Sequence, residues 1–192
     1  LRANRMQDLM TQRLLGIDDL VDQQQQALAA GQPLIGTPGS GGVSELVRTL
    51  LRADDALVTT HNDVQVLALR EAFFKQLFED IAVATEHIHI EAYTIRPDAI
   101  GHQLRDLLIE KAHAGVTVRV LYDTFGSHDL PNNFWKKLTA AGGQVERFVA
   151  TKLGRWNPRI NFRNHRKLII IDGQLAYLGG FNLGKEHHGL PM

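Results

Sequence analysis

The sequence of 192 residues contains no cysteine. This absence excludes disulfide bonds, thiolate nucleophiles and cysteine-ligated zinc. It is compatible with a reducing compartment, and we expect a cytoplasmic face. No run approaches the roughly 18–20 apolar residues that span a bilayer, and no secretion signal is recognisable. We therefore expect this segment to be soluble by itself. Because the chain starts at Leu1 rather than Met, we expect it to be a piece of a longer product. Membrane-spanning segments upstream of Leu1 are compatible with this expectation.

The chain also lacks an excess of either charge. Its 21 Lys and Arg residues balance 21 Asp and Glu residues, which argues against a generally basic nucleic-acid binder. The basic residues are nevertheless unevenly distributed, since residues 147–171 contain no Asp or Glu. That stretch carries seven cations, Arg147, Lys152, Arg155, Arg159, Arg163, Arg166 and Lys167. The basic loop at 150–164 predicts contact with an anionic lipid or headgroup, and a solvated surface is the alternative.

Two regions are predicted. Residues 1–60 combine an N-terminal helical segment with a Gly/Pro linker, and residues 61–192 form the main domain. The linker glycines do not make a phosphate-binding loop, because Gly42 and Val43 stand where that motif needs Lys and Ser or Thr.

Strand and helix patterns alternate through the main domain, which predicts parallel strands and an α/β sandwich. Asp98 is expected to cap a helix, and Gly115 and Gly142 are expected to end helices. The predicted strands are 63–67, 87–95, 116–123 and 144–149, and the predicted helices are 70–85, 98–114 and 130–141.

The stretch "NHRKLIIIDGQLAYLGGFN" at 164–182 contains the main candidate site residues. His165 and Lys167 are two residues apart, so in a strand they project to one face and Arg166 points away. The strand beyond Lys167 is apolar on both faces and should lie inside the sheet, with its polar entrance at a rim. Asp172 and Gly173 predict a tight turn into a second strand.

His165, Lys167 and Asp172 fit the pattern H-x-K-x-x-x-x-D, and this combination with Gly179, Gly180 and Asn182 resembles the phospholipase D superfamily. Residues 60–189 resemble bacterial cardiolipin synthases, with matching flanks "HIHIEAYTI", "VLYDTFGS" and "GGQVERF". The resemblance implies an α/β phospholipase D-like sandwich, with a mixed, largely parallel sheet flanked by helices, as one lobe of a bilobal enzyme.

The resemblance also implies a phosphatidyl transfer through a phosphohistidine. His165 would be the nucleophile, since neutral imidazole is available near its ordinary pKa of about 6.5. Lys167 and Asn182 would bind the phosphate oxygens, and Gly179 and Gly180 would let the backbone approach the substrate. The scheme requires no metal or cofactor. Asp172 is named by the family pattern as a catalytic residue, but its place in a turn favours a structural duty.

A second H-x-K motif is expected, because the family draws the proton for the leaving group from a second histidine. Among nine histidines only His165 has Lys two residues later and Asp seven later. The partner would therefore be a C-terminal half or a second copy, and the segment alone is expected to be inactive. The expected substrate is phosphatidylglycerol at a membrane surface. A one-motif dimeric phosphodiesterase acting on nucleic acid and a noncatalytic lipid- or phosphate-binding module remain alternatives.

Further polar residues lie near the expected cleft. Glu91 and Tyr93 share a strand face there and are candidates to support the reacting groups. For the remaining ones we expect structural duty ahead of metal or ligand binding: His87, His89, Asp123, Ser127 and His128.

Overall fold

The computed structural model describes residues 19–31, 45–47, 49–50, 58–59, 62–148 and 163–185. Most of the predicted basic loop at 150–164 lies outside the described residues. The chain divides into two compact units, Leu1–Gln65 and Val66–Met192. The prediction put this boundary after residue 60.

The first unit contains a helical stretch at 19–29. The Gln24 amide exchanges two hydrogen bonds of 2.9 Å with the backbone of Val58, one donated in each direction. Among the described residues of the whole chain, no helix combines the length and the apolar character needed to cross a bilayer.

The second unit is built on one mixed five-stranded sheet in the order β3-β2-β1-β4-β5. The strands are β1 (His87–Ala92), β2 (Thr117–Asp123), β3 (Gln144–Phe148), β4 (Lys167–Ile171) and β5 (Leu175–Leu178). Three helices accompany them: α1 (Arg70–Val83), α2 (Ala99–His113) and α3 (Lys136–Ala140). β1, β2 and β3 are parallel, whereas β4 runs antiparallel to both β1 and β5. The expectation of a mixed sheet with flanking helices is confirmed, and β4 lies inside the sheet as predicted.

Alternate residues of the central strands form the core. Ile88 and Ile90 of β1 and Ile169 and Ile171 of β4 are buried, because strand alternation turns them toward the same side. They join one apolar cluster that includes Phe74, Leu77 and Ile81 of α1 and Leu104 and Leu108 of α2. Burial of each such side chain is worth about 1.5–3 kcal/mol, so this cluster fixes which face of β4 points inward.

Local sequence signals lie at the beginnings and ends of the helices where they were predicted. The Asp98 side chain accepts a hydrogen bond from the Gly101 amide at the start of α2. Gly115 and Gly142 have positive φ angles just beyond α2 and α3, a conformation that glycine adopts without steric cost.

Two predicted elements differ from the structure. Residues 63–67 are not a strand, and Val64 and Val66 are 81% and 85% exposed, because no described strand pairs with them. The helix predicted at 130–141 is reduced to Lys136–Ala140, since the Pro131 region forms turns instead.

Asp172 joins the β4–β5 turn to the start of β1. Its carboxylate accepts backbone hydrogen bonds from Thr85, Glu86 and His87 at 2.8–2.9 Å. These bonds lower the pKa of the Asp172 carboxyl from 3.8 to about 2, and the bond from the Thr85 amide contributes most. Its φ of 51° and that of Gly173, 66°, suit the turn that the Asp-Gly pair predicted.

We expect Asp172→Asn to lower the free energy of unfolding by roughly 1–2 kcal/mol near neutral pH, since an amide nitrogen would then face backbone donors. Asn tolerates the positive φ, so the change isolates the lost acceptor. Because the folded-state pKa is depressed, the carboxylate stabilises the fold above its ordinary pKa, and this contribution disappears as the pH falls from about 4 to about 2. Urea unfolding of both proteins across this range should show the difference shrinking. A difference that stays constant to the acid limit would contradict the role of the charge.

Candidate active site

The candidate site lies at the carboxyl end of β1, where β4 begins. Lys167 is paired with Ala92, the last residue of β1, so the residues before Lys167 lie at the rim of the sheet. The chain after β1 and the segment after β5 meet at the same rim, because Ile95 and Leu183 form a short parallel bridge. Three segments distant in sequence therefore converge around His165.

His165, Lys167 and Tyr93 form the centre of this rim. The His165 ring is exposed, and its centroid lies 4.4 Å from that of the Tyr93 ring. Lys167 Nζ lies 3.4 Å from His165 Nδ1 and 5.3 Å from the Tyr93 ring centroid. Lys167 Nζ also donates to the His165 carbonyl at 3.2 Å. An anionic group that touches the imidazole would thus be within reach of the ammonium as well.

Glu91 supports the strand entrance from the neighbouring strand. Its Oε1 accepts a hydrogen bond of 2.7 Å from the Asn164 side chain, and it lies 3.8 Å from Arg166 Nη1. Arg166 therefore lies near Glu91, whereas Lys167 Nζ lies near His165. Glu91 contacts the residues on either side of His165 rather than His165 itself.

The loop after β2 is bound to the extension of β1. The buried Ser127 hydroxyl donates to the Tyr93 carbonyl at 3.1 Å and accepts from the Ile95 amide at 2.9 Å. A Cβ atom on Gly126 would lie only 2.2 Å from the same carbonyl, so this position requires glycine. Ser127 thus has a structural duty, while exposed His128 lies 2.9 Å from a carboxylate oxygen of Asp129.

The segment with Gly179, Gly180 and Asn182 returns to this rim. The amide of Leu183, next to Asn182, donates to the Thr94 carbonyl at 3.0 Å. Asn182 is half-buried, whereas both glycines are exposed, and a Cβ atom at either would contact nothing within 4 Å in the described chain. Packing within the described residues therefore does not explain the glycines, and the close approach of a substrate to them stays a prediction.

Asp172 is the predicted site residue that the structure does not bring to this rim. It follows β4, five residues beyond Lys167, which corresponds to about 16 Å along an extended strand. Its oxygens are already occupied by the backbone donors at the start of β1. This geometry supports the structural alternative for Asp172.

His87 and His89 also lie away from the rim, toward the amino end of β1. Their ring centroids are 4.7 Å apart, and Arg119 Nη1 lies 3.3 Å from His89 Nε2. In the part of the chain that the structure describes, no three His, Cys, Asp or Glu side chains are grouped as metal ligands.

The sequence interpretation missed Asn164. This residue precedes His165 and joins it to two other strands, through its side chain to Glu91 and through its amide to Asp123. Its position directly before the motif was the only available signal, since neither partner is close in sequence.

A protein-family model matches a large part of the second unit. Residues 77–190 match the family model described as "Cardiolipin synthase, PLD-like domain". The chain belongs to this family. The match includes all five strands and every predicted site residue, and it confirms the family resemblance.

Bacterial relatives extend the match over most of the chain. It is 40% identical over 190 residues, 99% of its length, to the major cardiolipin synthase ClsA of Bacillus subtilis, and 43% identical over 176 residues, 92% of its length, to a cardiolipin synthase of Oceanobacillus iheyensis. It spans only 39% and 36% of those two proteins.

Among solved structures, this chain is similar to Nuc of Salmonella typhimurium, a phospholipase D family member. That match has a TM-score of 0.41 and 20% identity, and it covers 58% of this chain and 64% of Nuc.

The contact between Tyr93 and His165 predicts a spectroscopic effect. An aromatic ring 4.4 Å from the imidazole should displace the chemical shifts of its carbon-bound protons, so Tyr93→Ala should move these NMR signals toward random-coil values. Tyr93→Phe keeps the ring and should preserve the shift. Identical His165 signals in wild type and Tyr93→Ala would show that the two rings are not in contact.

Proposed function

We propose that this chain supplies one half of the active site of a cardiolipin synthase-type phosphatidyltransferase. The observation that carries the proposal is the exposed His165 ring with Lys167 Nζ 3.4 Å away at one rim of the sheet, in a chain of the cardiolipin synthase family. Phosphatidylglycerol is the proposed donor, and the hydroxyl of a second phosphatidylglycerol is the proposed acceptor.

His165 is the proposed nucleophile. An unprotonated imidazole nitrogen attacks the donor's phosphorus, a phosphohistidine bond forms, and the bond to the glycerol oxygen breaks. The acceptor hydroxyl then attacks this phosphorus, loses its proton to a second histidine, and releases the imidazole. Each displacement builds negative charge on the non-bridging oxygens, which Lys167 and Asn182 bind, while Gly179 and Gly180 allow the backbone to approach.

A second catalytic centre completes the reaction in this proposal. The departing glycerol alkoxide needs a proton, and His165 cannot attack phosphorus and donate that proton in the same step. Lys167 and Tyr93 line the described side of His165, and a second H-x-K histidine would approach from the other side. That histidine belongs to a C-terminal half or to a second copy of the chain. The isolated segment is accordingly proposed to be inactive, and the complete enzyme to work at the cytoplasmic face of a membrane.

The test uses the native gene product that contains this chain, assayed with vesicles of phosphatidylglycerol. We expect His165→Ala to abolish cardiolipin formation and Lys167→Ala to reduce the rate by roughly 10²–10³-fold, the usual loss when one transition-state donor is removed. A covalent phosphatidyl-enzyme trapped by rapid denaturation at mildly alkaline pH, where the N–P bond is stable, should depend on His165. Thermal unfolding of each variant serves as the control, since both side chains lie at the rim outside the apolar core.

The same preparation separates the alternatives. Normal cardiolipin formation by His165→Ala would contradict the proposal. DNA cleavage by a dimer, without lipid transfer, would favour the phosphodiesterase. Phosphate binding that weakens in Lys167→Ala, without turnover, would favour the binding module.

A further inference from the structure

The carboxylate of Asp123 joins two segments of the site that are distant in sequence. It is the last residue of β2 and is only 2% exposed. Its Oδ1 accepts hydrogen bonds from the Phe125 and Gly126 amides at 2.9 and 3.0 Å. Its Oδ2 accepts one from the Asn164 amide at 2.9 Å, 41 residues away along the chain.

These bonds exceed what a local turn requires. An Asp at the end of a strand commonly accepts amides two or three residues later, and Oδ1 does so here. Oδ2 instead holds the residue directly before His165. Because consecutive Cα atoms are about 3.8 Å apart and few φ/ψ combinations are allowed, a fixed Asn164 amide restricts where the His165 Cα can lie.

The loop held by Oδ1 contacts the same site. Gly126 packs on the Tyr93 carbonyl, and Tyr93 in turn lies against His165. Phe125 is 61% exposed and carries the Arg163 guanidinium over its ring at 4.1 Å. One carboxylate therefore fixes both the loop behind Tyr93 and the strand entrance that carries Arg163 and His165.

We propose that Asp123 is the positioning residue of this site, which holds the backbone before His165 and the loop behind Tyr93 in one geometry. The inference rests on the proposed function for its kinetic consequence, but not for its geometric one. Asp123 does not touch the reacting atoms. It acts because a nucleophile displaced by about 1 Å from its productive position can lose about 10²-fold in rate.

The geometric arm uses amide hydrogen exchange and NMR on the 192-residue chain. We expect Asp123→Asn to reduce protection of the Asn164 amide by about tenfold or more, the factor that corresponds to one lost buried hydrogen bond. The chemical shifts and line shape of the His165 imidazole signals should change with it, whereas those of His87, at the other end of the sheet, should not. Asp172→Asn is the matched control, because it also removes an acceptor of three amides but far from the rim.

The kinetic arm uses the native gene product and phosphatidylglycerol vesicles. We expect Asp123→Asn to lower kcat by about 10–100-fold and to change KM by less than about twofold, since the lipid-binding groups remain. Asp123→Ala, which removes both carboxylate oxygens, should lower kcat further than Asp123→Asn does. Asp80→Asn is the stability control. Asp80 lies on α1 and accepts a hydrogen bond from the Tyr177 hydroxyl of β5, so this change should leave kcat unchanged.

The outcomes separate the two proposals. Unchanged Asn164 protection and unchanged His165 signals in Asp123→Asn would overturn the positioning role. So would a kcat loss no larger than that of Asp80→Asn, since this would leave only a structural duty. A wild-type protein without lipid transfer would overturn the proposed function, and the geometric arm would still decide the role of Asp123.

Discussion

The antiparallel pairing of β4 with β1 is the constraint on which the rest of the site depends. Its register runs from Ile88 opposite Ile171 to Ala92 opposite Lys167. A slip of one residue would turn Ile169 and Ile171 out of the core, so the buried cluster holds the register. The apolar body of β4 thereby fixes the position of its polar entrance. The geometry of the candidate site at the rim is a consequence of hydrophobic packing behind it.

Carboxylates secure the sheet at both ends for the same physical reason. Strands end with backbone amides that no neighbouring strand satisfies, and a side-chain carboxylate can accept hydrogen bonds from them. Asp172 satisfies three such amides at the amino end of β1, and Asp123 satisfies two after the carboxyl end of β2 and one before β4. Only the second end faces the candidate site. The chain thus uses one type of interaction to stabilise the fold at one end of the strands and to align the candidate site at the other end.

Most of the fold was predictable because its signals are local. α2 was recognised from the Asp98 cap and Gly115, and the β4–β5 hairpin from the Asp-Gly pair. The strand expected at 63–67 was wrong because alternation alone cannot supply a pairing partner. The helix beginning at 130 was too long because the turns around Pro131 outweighed the apolar spacing of the residues that follow.

The sequence by itself determined the family, the H-x-K spacing that puts His165 beside Lys167, and the turn that contains Asp172. These features depend on residues within a few positions of one another, where the geometry of the chain is nearly fixed. Tertiary structure decided that Tyr93 lies against His165, that Glu91 and Asp123 hold Asn164, and that Asp172 lies far from the rim. Those contacts join residues 41 to 87 positions apart, and they exist only because the packed sheet sets the order and register of its strands.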